Sequence, residues 1–297
     1  MRHISRRLIV SIVLVTGLIT SVTAFNKAVG KSNGKIAFVS NRDNGERIYT
    51  MNPDGSGLAK LTDGPHQLQP AWSPDGTKIA YMDRLKDATA LYVMKADGSD
   101  SKLLVSNIFH NVNLAWSPDG TKIAFCSVKN SDFSLHVINV DGSNDLRLAE
   151  GSGSPSWSPD GKQIAFTTFQ GIDLINADGT SRKQLVRLNT WWLHSLDWSP
   201  DGKEIIFGSS RTSSDLDGNK TSQFTVGLIA ADGSDGNNAR SLGLGRNPSW
   251  SPDGSKIVFE RGGTEGTQIW VMNRDGKNPT QLTDTGTNWS PSWQPLL

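Results

Sequence analysis

The sequence predicts an all-β protein built as a single six-bladed β-propeller of four-stranded antiparallel blades. Three observations carry this prediction. The stretch AWSPDGTKIA occurs at 71–80 and again at 115–124, with close copies starting at 156, 197 and 249. A second turn marker, an Asp-Gly pair at a matching place in each repeat, recurs with it, and the two ends of the chain are complementary fragments of one repeat. Four-strand units at a period near 43 residues are typical of propeller blades.

Six motif tryptophans set the number of blades. They are Trp72, Trp116, Trp157, Trp198, Trp250 and Trp293, separated by 44, 41, 41, 52 and 43 residues. The Asp-Gly marker also occurs six times, at Asp54, Asp97, Asp141, Asp178, Asp232 and Asp275. Both markers therefore predict six units.

The sequence SPDG predicts a tight hairpin turn within each unit. Ser73 suits the first turn position, Pro74 presets φ for the second, Asp75 tolerates the third, and Gly76 supplies the positive φ of a bulge-type closure. The flanking segments are rich in β-forming residues, and the second Asp-Gly pair predicts another hairpin. Each unit is therefore expected to hold four antiparallel strands.

The two ends of the chain are predicted to close the ring together. Residues 33–62 supply three strands of one blade, and residues 288–293 supply the fourth, innermost one. Pairing these strands removes the free edges that an open stack of repeats would leave.

The first residues have the features of a secretory signal peptide, predicted over 1–24. A basic MRHISRR segment precedes an apolar run of 13 residues, and small residues end at Ala24. Residues 25–32 are then a short linker before the propeller at 33–297. The alternative is an uncleaved membrane anchor, because Leu8–Phe25 carries no charge. Both readings place the propeller outside the cytoplasm, in the periplasm or secreted, with no membrane span once the signal is removed.

The charge and cysteine content exclude some partners. Removing 1–24 takes away three arginines and no acid, so the formal net charge changes from +1 to −2. A near-neutral body gives no electrostatic reason to expect nucleic acid as a partner. The single cysteine, Cys126, follows Phe125 in a predicted strand and is expected to be a small buried hydrophobe. The protein is expected to be a monomer.

The segment NGKIAFVSNRDNGERIYTMNPDGSGLAKLTDG, the WSPDG series and the terminal PSWQPLL resemble the TolB-type propeller, whose repeats are called PD40 or WD40-like. The resemblance covers roughly residues 33–295. It implies the propeller fold without the separate domain that precedes the propeller in TolB. It also implies a protein partner of the lipoprotein Pal type on one face. Related blades serve as adaptors and as non-catalytic parts of peptidases, so the resemblance is specific for fold rather than for function.

Loop lengths predict which face binds. The first turn never changes length, whereas the second and fourth connections vary, with a long excursion at 211–223. Alternate connections of an antiparallel blade open on opposite faces, so the variable ones share one face, and such a face is usually the binding side. Eight side chains are predicted to lie on it, around the channel mouth: His66, His110, Trp191, Trp192, His194, Trp289, Arg42 and Arg211. For the histidines and arginines the alternative is a solvated loop position, and for the tryptophans it is packing beneath a loop.

No catalytic motif accompanies these residues. The chain lacks G-x-S-x-G and H-E-x-x-H, and one cysteine is too few for a structural zinc site. No cofactor and no metal are therefore expected, and the sequence favours a non-catalytic, protein-binding module with another protein or peptide as its partner. The alternative is a propeller hydrolase or lyase that acts on peptide or polysaccharide at the channel mouth, with the histidines as base or metal ligands.

Overall fold

The computed structural model describes residues 33–86, 88–108, 113–129, 132–188, 192–214, 220–263 and 266–295. These residues lie in one compact unit, Lys31–Leu297. They form six four-stranded antiparallel sheets, and they contain no helix that could cross a membrane. The predicted propeller fold is confirmed. The predicted signal peptide at 1–24 and linker at 25–32 lie outside the described residues.

The strands follow the predicted repeat, and the blades are numbered in the order of their second strands. Blade 1 holds β1 (Ile36–Ser40), β2 (Arg47–Met51), β3 (Ala59–Lys60) and the C-terminal β24 (Asn288–Trp293). Blade 2 holds β4 (Gln67–Trp72), β5 (Lys78–Arg84), β6 (Thr89–Lys95) and β7 (Lys102–Ile108). Blade 3 holds β8 (Leu114–Trp116), β9 (Lys122–Lys129), β10 (Asp132–Asn139) and β11 (Leu146–Glu150).

The remaining three blades have the same order. Blade 4 holds β12 (Ser152–Trp157), β13 (Gln163–Thr168), β14 (Gly171–Asn176) and β15 (Lys183–Arg187). Blade 5 holds β16 (Trp192–Trp198), β17 (Glu204–Ser214), β18 (Lys220–Ala230) and β19 (Arg240–Leu244). Blade 6 holds β20 (Arg246–Trp250), β21 (Lys256–Gly263), β22 (Gly266–Asn273) and β23 (Thr280–Gln281).

Closure by the two ends of the chain is confirmed. Strand β24 pairs antiparallel with β1, and the sheet order in blade 1 is β24-β1-β2-β3. Ile36 lies opposite Trp293, and Ala37 lies opposite Ser292. Neither β1 nor β24 therefore leaves a free edge along this shared side.

The first turn of each blade is held by the residues that its sequence predicts. In blade 2 the Gly76 amide donates to the Ser73 carbonyl at 2.8 Å, and Gly76 has a φ of 64°. The Ser73 hydroxyl donates to Asp75 at 2.5 Å and accepts the Lys78 amide at 2.9 Å. These bonds join fixed positions of the motif, so the insertion or removal of a residue would break them. The turn therefore keeps one length.

The core lies between neighbouring blades, where each motif tryptophan is buried. Trp250 and Phe259 of blade 6, for example, pack against Ile206 and Leu228 of blade 5. Two indoles also reach the preceding inner strand: Trp116 Nε1 donates to the Ala71 carbonyl at 3.0 Å, and Trp157 Nε1 donates to that of Ala115 at 3.2 Å. Contacts between blades, rather than within one sheet, thus hold the ring together.

Ring closure predicts that a disulfide between β1 and β24 stabilises the protein. Directly opposed residues of an antiparallel pair have Cα atoms about 4.5–5.5 Å apart, which a disulfide can span. The variant A37C/S292C should cross-link on oxidation and close a loop of roughly 250 residues, raising the free energy of unfolding by about 5 kcal/mol. Urea midpoints of the oxidised and reduced protein measure the effect, with A37C alone as the control. Equal midpoints, or no cross-link, would contradict this closure.

Candidate binding face and central channel

The blade topology sorts the connections onto two faces. The first and third connections of each blade lie on one face, here called the turn face. The second and fourth connections lie on the opposite face, here called the variable face. This follows from the antiparallel order of four strands in every blade. Blade 5 departs most from the others on the variable face, because β17 and β18 are 11 residues long.

The central channel holds a cavity of about 510 Å³. The inner strands of blades 1–6 line it, and the lining extends on the turn face to prolines two residues beyond five of these strands: Pro74, Pro118, Pro200, Pro252 and Pro295. None of the predicted site residues that the structure describes lines this cavity. The channel and the predicted binding residues are therefore separate features of the fold.

Hydrogen bonds link three inner strands toward the variable-face end of the channel. Asn113 Nδ2 donates to Ser154 Oγ at 2.8 Å and to the His194 carbonyl at 3.3 Å. Ser154 Oγ donates to the same carbonyl at 2.5 Å. These bonds tie blades 3, 4 and 5 together beside the channel.

His66 lies in an ion-pair cluster between blades 1 and 2. Its Nδ1 is 2.9 Å from Glu46 Oε2, and Arg84 pairs with the same carboxylate oxygen. Arg84 Nη2 also lies 3.3 Å from His66 Nδ1. Two partners on different connections thus hold the imidazole, which is half exposed.

Two predicted residues of blade 5 lie at the start of β16. Trp192 is 65% exposed, so packing beneath a loop is not its role in the described structure. His194 Nε2 lies 2.7 Å from Ser210 Oγ, and its ring is 5.8 Å from that of Phe224. Partial burial, and then the nearby Arg246 charge, lower the pKa of His194. The imidazole therefore favours its neutral form at neutral pH.

The other described residues of the predicted set lie farther around the face. Arg42 donates to Ser40 Oγ and Asn288 Oδ1, both at 2.9 Å, and its guanidinium lies over the Tyr49 ring. Burial lowers the pKa of Arg42. Trp289 is partly buried against the core of blade 2, and Arg211 is exposed on β17. Arg42 and Trp289 are thus partly structural.

Three predicted features lie outside the described residues. They are His110, Trp191 and the tip of the blade 5 excursion at 215–219. Within the described part of the chain, no three His, Cys, Asp or Glu side chains are grouped closely enough to hold a metal ion.

Sequence reasoning predicted Trp192 on the variable face but missed four other exposed hydrophobic side chains there. Among the described residues, eight large hydrophobic side chains are exposed, and five of them lie on second or fourth connections or at the adjoining strand ends: Leu85, Phe133, Phe169, Trp192 and Leu244. All three exposed aromatics belong to these five, and the Phe133 and Phe169 rings meet edge to face at 6.0 Å across blades 3 and 4. A signal was available, since Phe169 stands in a two-residue connection where a small or polar residue is usual.

Comparison with known proteins fits this architecture. The sequence matches the family described as PD40, the TolB beta propeller domain, over residues 24–296. The chain belongs to the TolB β-propeller family. No curated protein sequence matches it significantly.

Solved structures similar to this TolB-family chain have several functions. TolB from Acinetobacter baumannii superposes with a TM-score of 0.73 at 22% identity, over 90% of this chain and 68% of that one. A chain of a nidogen/laminin complex gives 0.66 at 10% identity, over 88% and 98%. An oligogalacturonate lyase in complex with manganese gives 0.57 at 16% identity, over 84% and 73%. At these identities the likeness shows the fold alone.

One buried carboxylate of this TolB-family propeller, Glu260, joins blades 6 and 1. The residue after the aromatic of the second strand is small or apolar in four other blades, namely Met82, Cys126, Thr167 and Gly208. Here it is the fully buried Glu260. Its oxygens accept Arg246 Nε at 2.7 Å, Asn247 Nδ2 at 2.6 Å and the Ser290 amide at 2.6 Å. Burial raises the pKa of Glu260, although these partners act to lower it.

Asp197 is a second carboxylate that departs from the repeat. The residue before the motif tryptophan is Ala or Ser in the other five blades. Asp197 Oδ2 accepts the Trp250 amide of the next blade at 2.7 Å. Asp197 is partly buried and lines the cavity. Desolvation raises its pKa to about 6, against the opposing hydrogen bonds from Trp250, Ser249 and Trp198.

Removing the Glu260 carboxylate should destabilise the protein strongly. The variant E260A leaves the Ser290 amide and Asn247 without their buried acceptor, so the free energy of unfolding should fall by about 3 kcal/mol or more. The matched control is E204A, because Glu204 also pairs with an arginine that covers an aromatic ring but is partly exposed. E204A should cost about 1 kcal/mol or less. Equal losses in urea unfolding would contradict a special role for Glu260.

Asp197 should make stability depend on pH. Between an unfolded pKa of about 4 and the folded value of about 6, the folded protein binds a proton that the unfolded chain does not. Its contribution to the free energy of unfolding therefore falls as pH rises through this window. The variant D197N should be more stable than the natural protein at pH 7, and the difference should shrink towards pH 5.

The control for this experiment is D75N. The Ser73 hydroxyl lowers the pKa of Asp75, which therefore stays ionised from pH 5 to pH 7. The difference between D75N and the natural protein should hold constant over that range. A pH-independent difference for D197N would show that Asp197 does not titrate there.

Proposed function

We propose that this TolB-family propeller is exported from the cytoplasm and acts as a non-catalytic module that binds another protein through its variable face. The observation that carries the proposal is the position of the exposed aromatics. Phe133, Phe169 and Trp192 all belong to the variable face. Exposed aromatic side chains are the residues most often found at the energetic centres of protein interfaces.

The arrangement of the two faces supports the same proposal. The turn face repeats one set of hydrogen bonds from blade to blade, which fixes its residues for structural reasons. The variable face is free of that constraint, and it carries the His66–Glu46–Arg84 cluster as well as the aromatics. Aromatic side chains and polar groups on one face are the usual composition of a protein interface.

Export and the identity of the partner rest on the sequence. The charged and apolar segments of 1–24 have the pattern of a secretory signal, which places the propeller in the periplasm or outside the cell. The resemblance to the TolB-type propeller makes a Pal-type envelope lipoprotein the first partner to test. Such a partner would contact His66, Trp192 and the neighbouring connections.

The test compares exposed hydrophobics on the two faces. A photo-crosslinking amino acid at position 169 or 192 should capture a partner in cells, and the same group at position 58 or 146, on the turn face, should not. With the purified partner, F169S/W192S should weaken binding about 30-fold or more, since the loss of even one interface centre costs about 2 kcal/mol. The matched control L58S/L146S should leave the affinity unchanged. If the control weakens binding as much, the choice of face is wrong.

A further inference from the structure

The β17–β18 hairpin projects beyond the rest of blade 5. Its pairing continues to Ser214 opposite Lys220. On one side, the pairing of β16 with β17 ends where Trp192 lies opposite Ser210. On the other side, β19 pairs with β18 only as far as Thr225, and the Gly245 amide donates to the Phe224 carbonyl at 3.1 Å. About four residues of each strand, roughly 13 Å, therefore extend past both neighbouring strands.

The projecting part of β18 has an unpaired edge. The Phe224 carbonyl points away from β17, because it accepts the Gly245 amide. Backbone groups of an antiparallel strand alternate in direction, so the amide and carbonyl of Ser222 point the same way. No strand among the described residues pairs with that edge. Its described residues include no proline and no bulge, two devices that usually protect an edge from further pairing.

A groove borders this hairpin on the side of blade 6. It encloses about 600 Å³, and its lining combines hydroxyl, amide and guanidinium groups: Ser213, Thr221, Ser222, Gln223, Arg246, Arg261 and Thr267 are among its members. Phe224 lies at its base beneath the Arg246 guanidinium, 5.0 Å from the ring centre. Leu244 also lines the groove, which therefore combines polar and apolar surface.

The described lining of the groove holds more positive than negative charge. Among the described residues its charged members are Arg246, Arg261 and Glu260, so two guanidinium groups accompany one carboxylate. Arg246 forms an ion pair with the Glu260 carboxylate and also donates a hydrogen bond to Thr267 Oγ1 at 3.1 Å. Arg261 lies over the Trp270 ring, and it pairs with no carboxylate among the described residues. A planar guanidinium held on an aromatic ring is well placed to bind a carboxylate.

We propose that this groove binds an extended peptide segment that carries a carboxylate, by adding it as a strand to the free edge of β18. The main chain of the peptide pairs with Ser222 and its neighbours, and its carboxylate binds Arg261. Main-chain pairing supplies affinity in this mode of recognition, and the charged contact fixes the register. This proposal rests on the proposed function, because it takes the variable face as the binding side. The groove is a different site from the exposed aromatics.

The test pans a phage-displayed library of random heptapeptides on the full mature chain. Selected peptides should be enriched in β-branched residues and should contain an acidic residue. Methylation of the peptide backbone nitrogens, or exchange of the acid for its amide, should weaken binding at least tenfold. R261Q should have the same effect, and the exposed R240Q on β19 is the matched control that leaves binding unchanged.

The edge itself is tested by S222P, which removes an amide that the hairpin does not use. Loss of peptide binding in both S222P and R261Q supports the proposal, and unchanged binding in R261Q overturns it even if S222P distorts the hairpin. Selected peptides that bind as well with the amide in place of the acid also overturn it. F169S/W192S should leave peptide binding intact, so failure of the aromatic surface and failure of the groove give different results.

Discussion

The antiparallel pairing of β24 with β1 is the constraint on which the rest of the structure depends. The pairing joins the two ends of the chain within one blade, so the ring has no open seam. In a closed ring every blade has the same orientation towards the channel, and its alternate connections must open on opposite faces. The antiparallel order within each blade separates a uniform turn face from an irregular variable face, and closure of the ring aligns these faces from blade to blade.

Positions that depart from the repeat sequence indicate where a blade has a role of its own. Positions that are small or apolar in most blades become Glu260 and Asp197 near blade 6, and both bind backbone amides of a neighbouring blade. Buried carboxylates cost desolvation energy, which their hydrogen bonds must offset. Glu260 also holds Arg246 beside the groove at the β17–β18 hairpin, so one unusual core residue connects ring stability with the variable face.

The sequence predicts the fold well because turn chemistry and closure are local or terminal signals. Gly76 and Ser73 occupy the turn positions that their chemistry requires, and Trp293 lies beside β1. The candidate site was less predictable. The exposure of Phe169 and the burial of Glu260 depend on packing between blades, and no single-repeat pattern encodes that. The sequence singled out His66 and His194 as candidates, but it did not indicate their ring partners Glu46 and Ser210, which come from other strands and connections.

Hydrogen–deuterium exchange of the protein with and without its captured partner tests the central claim most directly. The account predicts that the partner slows exchange in the connections around Leu85, Phe169 and Trp192, while the SPDG and second Asp-Gly turns exchange at unchanged rates. Protection confined to those turns, or spread evenly over both faces, would contradict the assignment of the variable face as the binding side.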